Sequence, residues 1–261
     1  MNRRPSEPPA PAVERAPIVV PPPVVVLSPH LDDAVLSCFA VLSRQGTATT
    51  VVTVFAGVPG PGTVGRWDAS QGVSRSDEYQ AERVADDLDV MAGLGARAVH
   101  LPLLDEQYRT SRLTARSLAR RLEQHVEGAD VHAPAGFGQH PDHVLVRDAA
   151  LRAFAGMASL RLYADLPYAA DQGWPLDCQG GSCGRDLRKT LPGIASGPRV
   201  TGCEHEALPP ETASAKLRCL ARYRSQFPLL DGLSGELRRR AVDRFEARWT
   251  VGRGVGKDVG R

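Results

Sequence analysis

The sequence lacks long hydrophobic runs and has no strong excess of charge of either sign. No apolar stretch approaches the roughly 18 residues that a membrane-spanning helix requires. Lysine and arginine number 32 against 30 aspartates and glutamates, which gives a formal net charge of +2. Proteins that bind nucleic acid or anionic membranes carry a basic surface that this balance does not indicate. We therefore expect neither as a partner, and the sequence gives no prediction of oligomeric state.

Cysteine is also scarce, with five residues scattered along the chain. So few cysteines, in an odd number, do not form a disulfide scaffold. The first residues include two arginines but no apolar segment of a secretory signal. These features predict a reducing compartment and hence a cytoplasmic protein. Two interpretations stay open for Cys178, Cys183, Cys203 and His205: a loosely spaced second metal site, or reduced thiols in a loop and a nearby strand.

The composition is otherwise that of an ordinary soluble globular protein, with 42% hydrophobic and 24% charged residues. Residues 1–22 are rich in proline, which removes backbone donors, so we predict a disordered tail there. Residues 23–250 are predicted to form a single domain, and residues 251–261 a frayed tail.

Strands and helices alternate along the predicted domain. Buried strands are predicted at 23–28, a continuous run rich in β-branched residues, and at 47–57. Further strands are predicted at 96–104, 129–136, 160–169 and 198–208. Helical spacing of apolar residues occurs at 31–46, 75–94, 112–126, 140–155, 211–227 and 234–249. Residues 58–74 and 170–196 are predicted loops. This alternation predicts an α/β fold, a Rossmann-like doubly wound and mostly parallel sheet in three α/β/α layers.

A first group of chemically active residues follows the first predicted strand. His30, Asp32 and Asp33 lie at its carboxyl end, where open parallel sheets bind their ligands. Each of these polar side chains must be solvated or satisfied, so their clustering is costly unless it serves a purpose. Histidine and aspartate are good ligands for Zn²⁺ and neighbouring divalent ions.

A second group, His140-Pro141-Asp142-His143, follows the fourth predicted strand and opens a helix. His140 and His143 are three residues apart, so both can face one site from the first helical turn. Two histidines and a carboxylate hold a metal and leave a position open for water, while a spare carboxylate acts as base and a spare histidine as acid. Either group alone is also explained as a helix cap. Their pairing at two strand ends favours a catalytic metal centre.

These motifs resemble those of the PIG-L/LmbE-like family of zinc-dependent N-deacetylases. The resemblance spans roughly residues 23–230 and departs from the family's commonest motif at Leu31 and Ala34. Besides the two groups above, it is carried by Arg75 with Glu78, by the strand that ends in Asp105, and by residues 216–226.

The resemblance implies a role for each residue. His30, Asp33 and His143 would be the zinc ligands, and Fe²⁺ is compatible with the same set. Asp32 would take a proton from the attacking water. His140 would polarise or protonate the substrate on the opposite side, stabilising the oxyanion in its protonated form, and Asp142 would orient it.

Substrate contacts follow from the same resemblance. Arg75 and Asp105 match positions that face the family's sugar pocket. Their alternative explanations are a salt bridge at a helix start and a helix cap. Tyr168 either lines the pocket or, as we favour, packs in the core.

The function implied is removal of an acyl group, acetyl above all, from the amino nitrogen of a glucosamine-containing small molecule. One alternative is an amidase that cleaves larger N-acyl groups or thiol conjugates. Another, of a different class, is a non-catalytic sugar-binding module on the same fold.

Overall fold

A computed structural model describes residues 21–157, 159–173, 187, 191, 194, 200–232 and 235–252. Its strands are β1 (Val24–Ser28), β2 (Thr49–Thr53), β3 (Arg97–His100), β4 (Asp130–Pro134), β5 (Leu160–Tyr163), β6 (Val200–Ala207) and β7 (Phe245–Val251). The helices described are α1 (Asp33–Leu42), α2 (Arg66–Ser70), α3 (Ser76–Leu94), α4 (Ala115–Leu122), α5 (Pro141–Phe154), α6 (Tyr168–Asp171), α7 (Pro210–Leu220), α8 (Phe227–Asp231) and α9 (Glu236–Arg239).

The strands form one sheet in the order β3-β2-β1-β4-β5-β7-β6. The first five are parallel, and β7 runs antiparallel to both β5 and β6. Every residue of central strand β1 is buried, because helices cover both faces of a parallel sheet. The predicted three-layer, mostly parallel α/β fold is confirmed.

The last predicted helix, 234–249, is wrong. The structure has the short helix α9 there, followed by β7. Ala247, Trp249 and Val251 are buried at every second position, which is the period of a strand. Glu246 interrupts this alternation, since it is also buried, and that hides the strand from sequence reasoning. Pairing with β6 along seven positions completes the sheet edge.

Two other differences concern helix ends and loops. The predicted helix 211–227 ends as α7 at Leu220, and the chain turns before α8 begins. The predicted loop 58–74 contains α2.

Some predictions cannot be compared with the structure. The tails, most of 170–196, Cys178 and Cys183 lie outside the described residues. Cys203 and His205 both lie on β6. Within the described part of the chain, no helix combines the length and apolarity needed to cross a bilayer.

Candidate active site

The loops that follow β1, β3, β4 and β5 meet at the carboxyl edge of the sheet. They surround an open cleft of about 200 Å³. Among the residues that line it are His30, Asp32, Asp33, Asp105, His140 and Tyr168. Because parallel strands all end at this edge, residues far apart in sequence converge here, as predicted.

His30, Asp33 and His143 form a group that fits a divalent metal ion. One ligand atom from each lies within 4.8 Å of the others. Asp33 Oδ2 is 3.3 Å from His30 Nδ1 and 3.2 Å from His143 Nε2. His143 Nε2 is fully buried and has no hydrogen bond of acceptable geometry among the described residues. A buried nitrogen without a hydrogen bond is costly unless it binds something else, so these residues fit a metal ion.

Asp165, which sequence reasoning missed, fixes this nitrogen in place. Its Oδ1 lies 2.6 Å from His143 Nδ1. Its Oδ2 accepts hydrogen bonds from the backbone N–H groups of Gly136 at 2.7 Å and Phe137 at 2.9 Å. A carboxylate on one imidazole nitrogen sets the tautomer that leaves the other free for a metal. The sequence feature that could have identified Asp165 is its position just after β5, at the same edge of the sheet as His30, Asp33 and His143.

The charges of this group favour a cation. Burial disfavours the charged form of His143, but Asp33 and Asp165 outweigh it and raise the pKa of His143 to about 9. Burial also opposes ionisation of Asp33, yet His143 and His30 hold its pKa well below the usual range. The Asp33 and Asp165 carboxylates thus stabilise the protonated, positively charged form of the His143 imidazole. A divalent ion at this place would take over the position of the added proton.

A second group with ligand spacing consists of His30, His140 and Asp142. The Asp142 carboxylate is already satisfied, because it accepts from Arg109 at 2.5 Å and from the Glu106 backbone N–H at 2.9 Å. His30 Nε2 lies 3.3 Å away from it. The group that contains His143 is therefore the better metal site.

Asp32 faces the cleft beside the proposed ligands. Burial and the neighbouring Asp33 charge raise the pKa of Asp32 to about 6, against the opposing charges of Arg83 and His30. A carboxyl group with a pKa near neutrality is suited to accept and return a proton.

His140 lies in the cleft close to His30 and His143. Burial and the charges of His30 and His143 lower the pKa of His140 to about 4. Its Nδ1 accepts a hydrogen bond from the Asp142 backbone N–H at 3.3 Å, which assigns the proton of the neutral ring to Nε2. The Nε2–H of the neutral ring is then the group that can donate a hydrogen bond. The Asp142 carboxylate bonds to His30 and Arg109, and it is the Asp142 backbone that orients His140.

The two predicted substrate contacts have different outcomes. Asp105 lines the cleft, 3.5 Å from His30 Nε2. Arg75 has a side chain 61% exposed, pairs with Asp77 and Glu78, and is not among the cleft residues. This is the helix-start salt bridge that was its alternative explanation.

Arg83 is the arginine that the structure places in the cleft. It is buried on α3, and its Nε has no hydrogen bond among the described residues. The spacing of Ser76, Gln80 and Arg83 along one helix face was the available signal. Tyr168 both lines the cleft and packs against the hydrophobic core, and its ring lies 5.4 Å from that of His143.

Comparisons with known proteins agree with this geometry. A family model described as GlcNAc-PI de-N-acetylase, PIG-L, matches residues 25–154. The pseudoaglycone deacetylase Dbv21 is 30% identical over 90% of this chain and 99% of its own, with a TM-score of 0.71. The chain belongs to the PIG-L family. The zinc-inhibited form of teicoplanin deacetylase Orf2 is 26% identical over 90% of this chain and 99% of its own, with a TM-score of 0.70.

A more distant structure supports the fold alone. The N,N'-diacetylchitobiose deacetylase from Pyrococcus horikoshii is 18% identical over 90% of this chain and 85% of its own, with a TM-score of 0.51. No protein of curated function matches the chain. The resemblance drawn from the motifs is confirmed, and PIG-L membership with deacetylase neighbours indicates an enzyme that acts on N-acetyl amides of amino sugars.

Proposed function

We propose that this PIG-L protein is a zinc-dependent N-deacetylase that hydrolyses the acetamide of an N-acetylglucosamine-containing small molecule to acetate and a free amine. One observation carries the proposal. The buried Nε2 of His143 has no hydrogen bond of acceptable geometry among the described residues and lies 3.2 Å from Asp33, whose carboxylate lines the cleft beside Asp32. A sugar-binding module has no need of such an arrangement.

His30, Asp33 and His143 would hold the metal ion, with Fe²⁺ as a possible substitute for Zn²⁺. When bound, such an ion acidifies water and polarises a carbonyl oxygen. Asp165 contributes by keeping the His143 ring in one orientation.

Asp32 would act as the base and then as the acid. It accepts a proton from the water that attacks the acetamide carbon. As the C–N bond breaks, it returns that proton to the leaving amine, and its pKa of about 6 suits both transfers. His140 would donate its Nε2 hydrogen to the oxygen on which negative charge develops, which a neutral imidazole does as a hydrogen-bond donor.

The substrate contacts proposed here are Asp105, which would accept hydrogen bonds from sugar hydroxyls, and Arg83, which would donate them. Arg83 replaces Arg75 in this proposal because it lines the cleft. Asp105 and Arg83 line the same cleft as the proposed base, Asp32, and the proposed donor, His140. A sugar held by Asp105 and Arg83 would therefore place its acetamide near Asp32.

The test combines metal content with activity. We expect purified wild-type protein to hold about one zinc per chain and to release acetate from an N-acetylglucosaminide. His143→Ala should lose both properties, whereas His125→Ala, a histidine outside the cleft, should keep both. Protein that binds no metal even after zinc is supplied would contradict the proposal and favour the sugar-binding module.

Asp32→Asn separates catalysis from binding. The amide cannot accept the proton, so we expect kcat to fall by roughly 10²- to 10⁴-fold with the zinc content unchanged. Acetate release and metal analysis of the same preparation measure this. Wild-type turnover in Asp32→Asn would show that Asp32 is not the base.

A further inference from the structure

The outer part of the cleft has a different character from its floor. Among the described residues, the large hydrophobic side chains that are exposed are Val58, Val64, Trp67, Leu88 and Leu229. Trp67 also lines the cleft, and Val64 lies three residues before it. Leu229 is next to Leu230, another cleft-lining residue, on α8. Of the exposed residues, Trp67 lines the cleft together with the half-buried Leu230, and we call these two residues the apolar rim (Trp67 and Leu230).

Trp67 is held in position while exposed. It lies on α2, and its neighbour Asp68 is fully buried. The Asp68 carboxylate accepts hydrogen bonds from the Tyr108 hydroxyl and, at 3.3 Å, from Gln107 Nε2. The Asp68 backbone N–H donates to Gln107 Oε1 at 3.3 Å.

The start of α2 is fixed as tightly. The backbone N–H of Gly65 donates to Ser76 Oγ at 3.0 Å. A Cβ at position 65 would collide with the Gln107 side chain, so only glycine allows this approach. An indole that is 44% exposed on such an anchored helix is a preorganised contact surface.

The charges of the cleft disfavour an anionic group. Asp32, Asp33, Asp105 and Glu106 line it, with Arg83 as its arginine. Arg66, beside Trp67, lies 3.4 Å from Glu106 and is neutralised by it. A phosphodiester at the mouth would face the Asp105 and Glu106 carboxylates, while Arg83 is buried.

We propose that the apolar rim binds an uncharged aromatic or aliphatic aglycone attached to the N-acetylglucosamine unit, with Trp67 as the main specificity-determining contact. This rests on the proposed function and adds the chemical class of the group beyond the sugar. Aromatic rings stack on an exposed indole face, and burying apolar surface strengthens the contact.

The experiment compares the methyl and phenyl glycosides of N-acetylglucosamine, of the same anomer, with N-acetylglucosamine 1-phosphate as the anionic probe. With the zinc-loaded wild type, we expect kcat/KM for the phenyl glycoside to exceed that for the methyl glycoside by about tenfold, mainly through KM. The phosphate should be the poorest substrate. Trp67→Ala should remove the phenyl preference, and Trp67→Phe should retain most of it.

Leu88→Ala is the matched control, because Leu88 is 50% exposed yet outside the cleft, and it should leave the ratio unchanged. Equal rates for the two glycosides in the wild type, a phenyl preference that survives in Trp67→Ala, or a preference for the phosphate would each overturn the inference. Turnover of the methyl glycoside tests the proposed function separately. If no glycoside is hydrolysed, calorimetry still decides the role of Trp67. It compares the affinities of the wild type and of Trp67→Ala for the phenyl and the methyl glycoside.

Discussion

Two buried carboxylates, Asp165 after β5 and Glu246 on β7, make nearly the same set of contacts. Each accepts hydrogen bonds from two consecutive backbone N–H groups, Gly136 and Phe137 for Asp165 and Phe39 and Ala40 for Glu246. Each also contacts one basic side chain, His143 for Asp165 and Lys216 for Glu246. The arrangement itself therefore does not distinguish a functional residue from a structural one.

The difference lies in what each carboxylate holds. Glu246 binds the N–H groups that are released where Cys38 breaks the helical geometry of α1, and Lys216 Nζ lies 2.8 Å from it with no exposure to solvent. Asp165 instead holds a histidine whose other nitrogen faces the proposed metal position. We infer that loss of the Glu246 contacts lowers the free energy of unfolding, whereas loss of the Asp165 contacts lowers the affinity for the metal ion.

The largest expected effect breaks the structural network. Lys216→Met leaves the Glu246 charge buried without its cation, which should lower the free energy of unfolding by about 3–5 kcal/mol. Denaturant titration of the variant and of wild type measures this. Adding Glu246→Gln to Lys216→Met should restore part of the loss, because the uncompensated charge is gone. Equal stability of Lys216→Met and wild type would show that the pair does not stabilise α1.

A smaller effect is expected at the functional network. Asp165→Asn keeps the shape but weakens the hold on His143 Nδ1, so zinc affinity should fall by roughly 10- to 100-fold. Competition with a chelator of known affinity measures it. Lys216→Met serves as the control, since its zinc affinity should match wild type wherever it is folded. If Asp165→Asn lost stability but kept its zinc affinity, the two carboxylates would have the same role.

The smallest effect concerns His132, a buried group on β4 without such a partner. Burial, aided by Arg248 and Arg161, lowers the pKa of His132 to about 3, and its Nδ1 has no hydrogen bond among the described residues. The unfolded chain binds this proton near the ordinary pKa of 6.5, so stability is complete above that pH and falls as the pH drops from 6.5 toward 3.

His132→Leu should remove this dependence. At pH 5.5 the wild type loses about 1.4 kcal/mol of unfolding free energy relative to pH 8 through His132, and the variant should lack that part. Unfolding titrations at the two pH values give the comparison. Identical pH dependence in both proteins would show that His132 is protonated as easily in the folded state as in the unfolded one.

Sequence reasoning succeeded where a pattern depends on local chemistry. The run 24–28 is uninterrupted and rich in β-branched residues, and strands alternate with helices after it, so the strand ends that carry His30 and His140 were found. Sequence reasoning failed where the structure of a segment depends on a partner that is distant in the sequence. Glu246 in β7 is explained only by Lys216 and the break in α1, which no local pattern reveals.

The same limit applies within the site. Arg75 directly precedes α3 and Arg83 lies on it, and only the docking of α3 against the sheet places Arg83 in the cleft. Asp165 belongs to no recognisable motif, and its role appears only when His143 is found beside it. Motifs therefore identified residues that carry the proposed chemistry, whereas packing determined which residues support them.

The two halves of the proposed metal site are far apart along the chain, since His30 and Asp142, the neighbour of His143, are separated by 112 residues. During synthesis, the first ligands leave the ribosome long before the last one exists. A metal ion at this site would be captured only after β4 has joined β1, so its loading would follow assembly of the sheet and would not guide the early steps of folding. A nascent chain that is halted before α5 would thus have a large part of the parallel sheet and no means of retaining zinc.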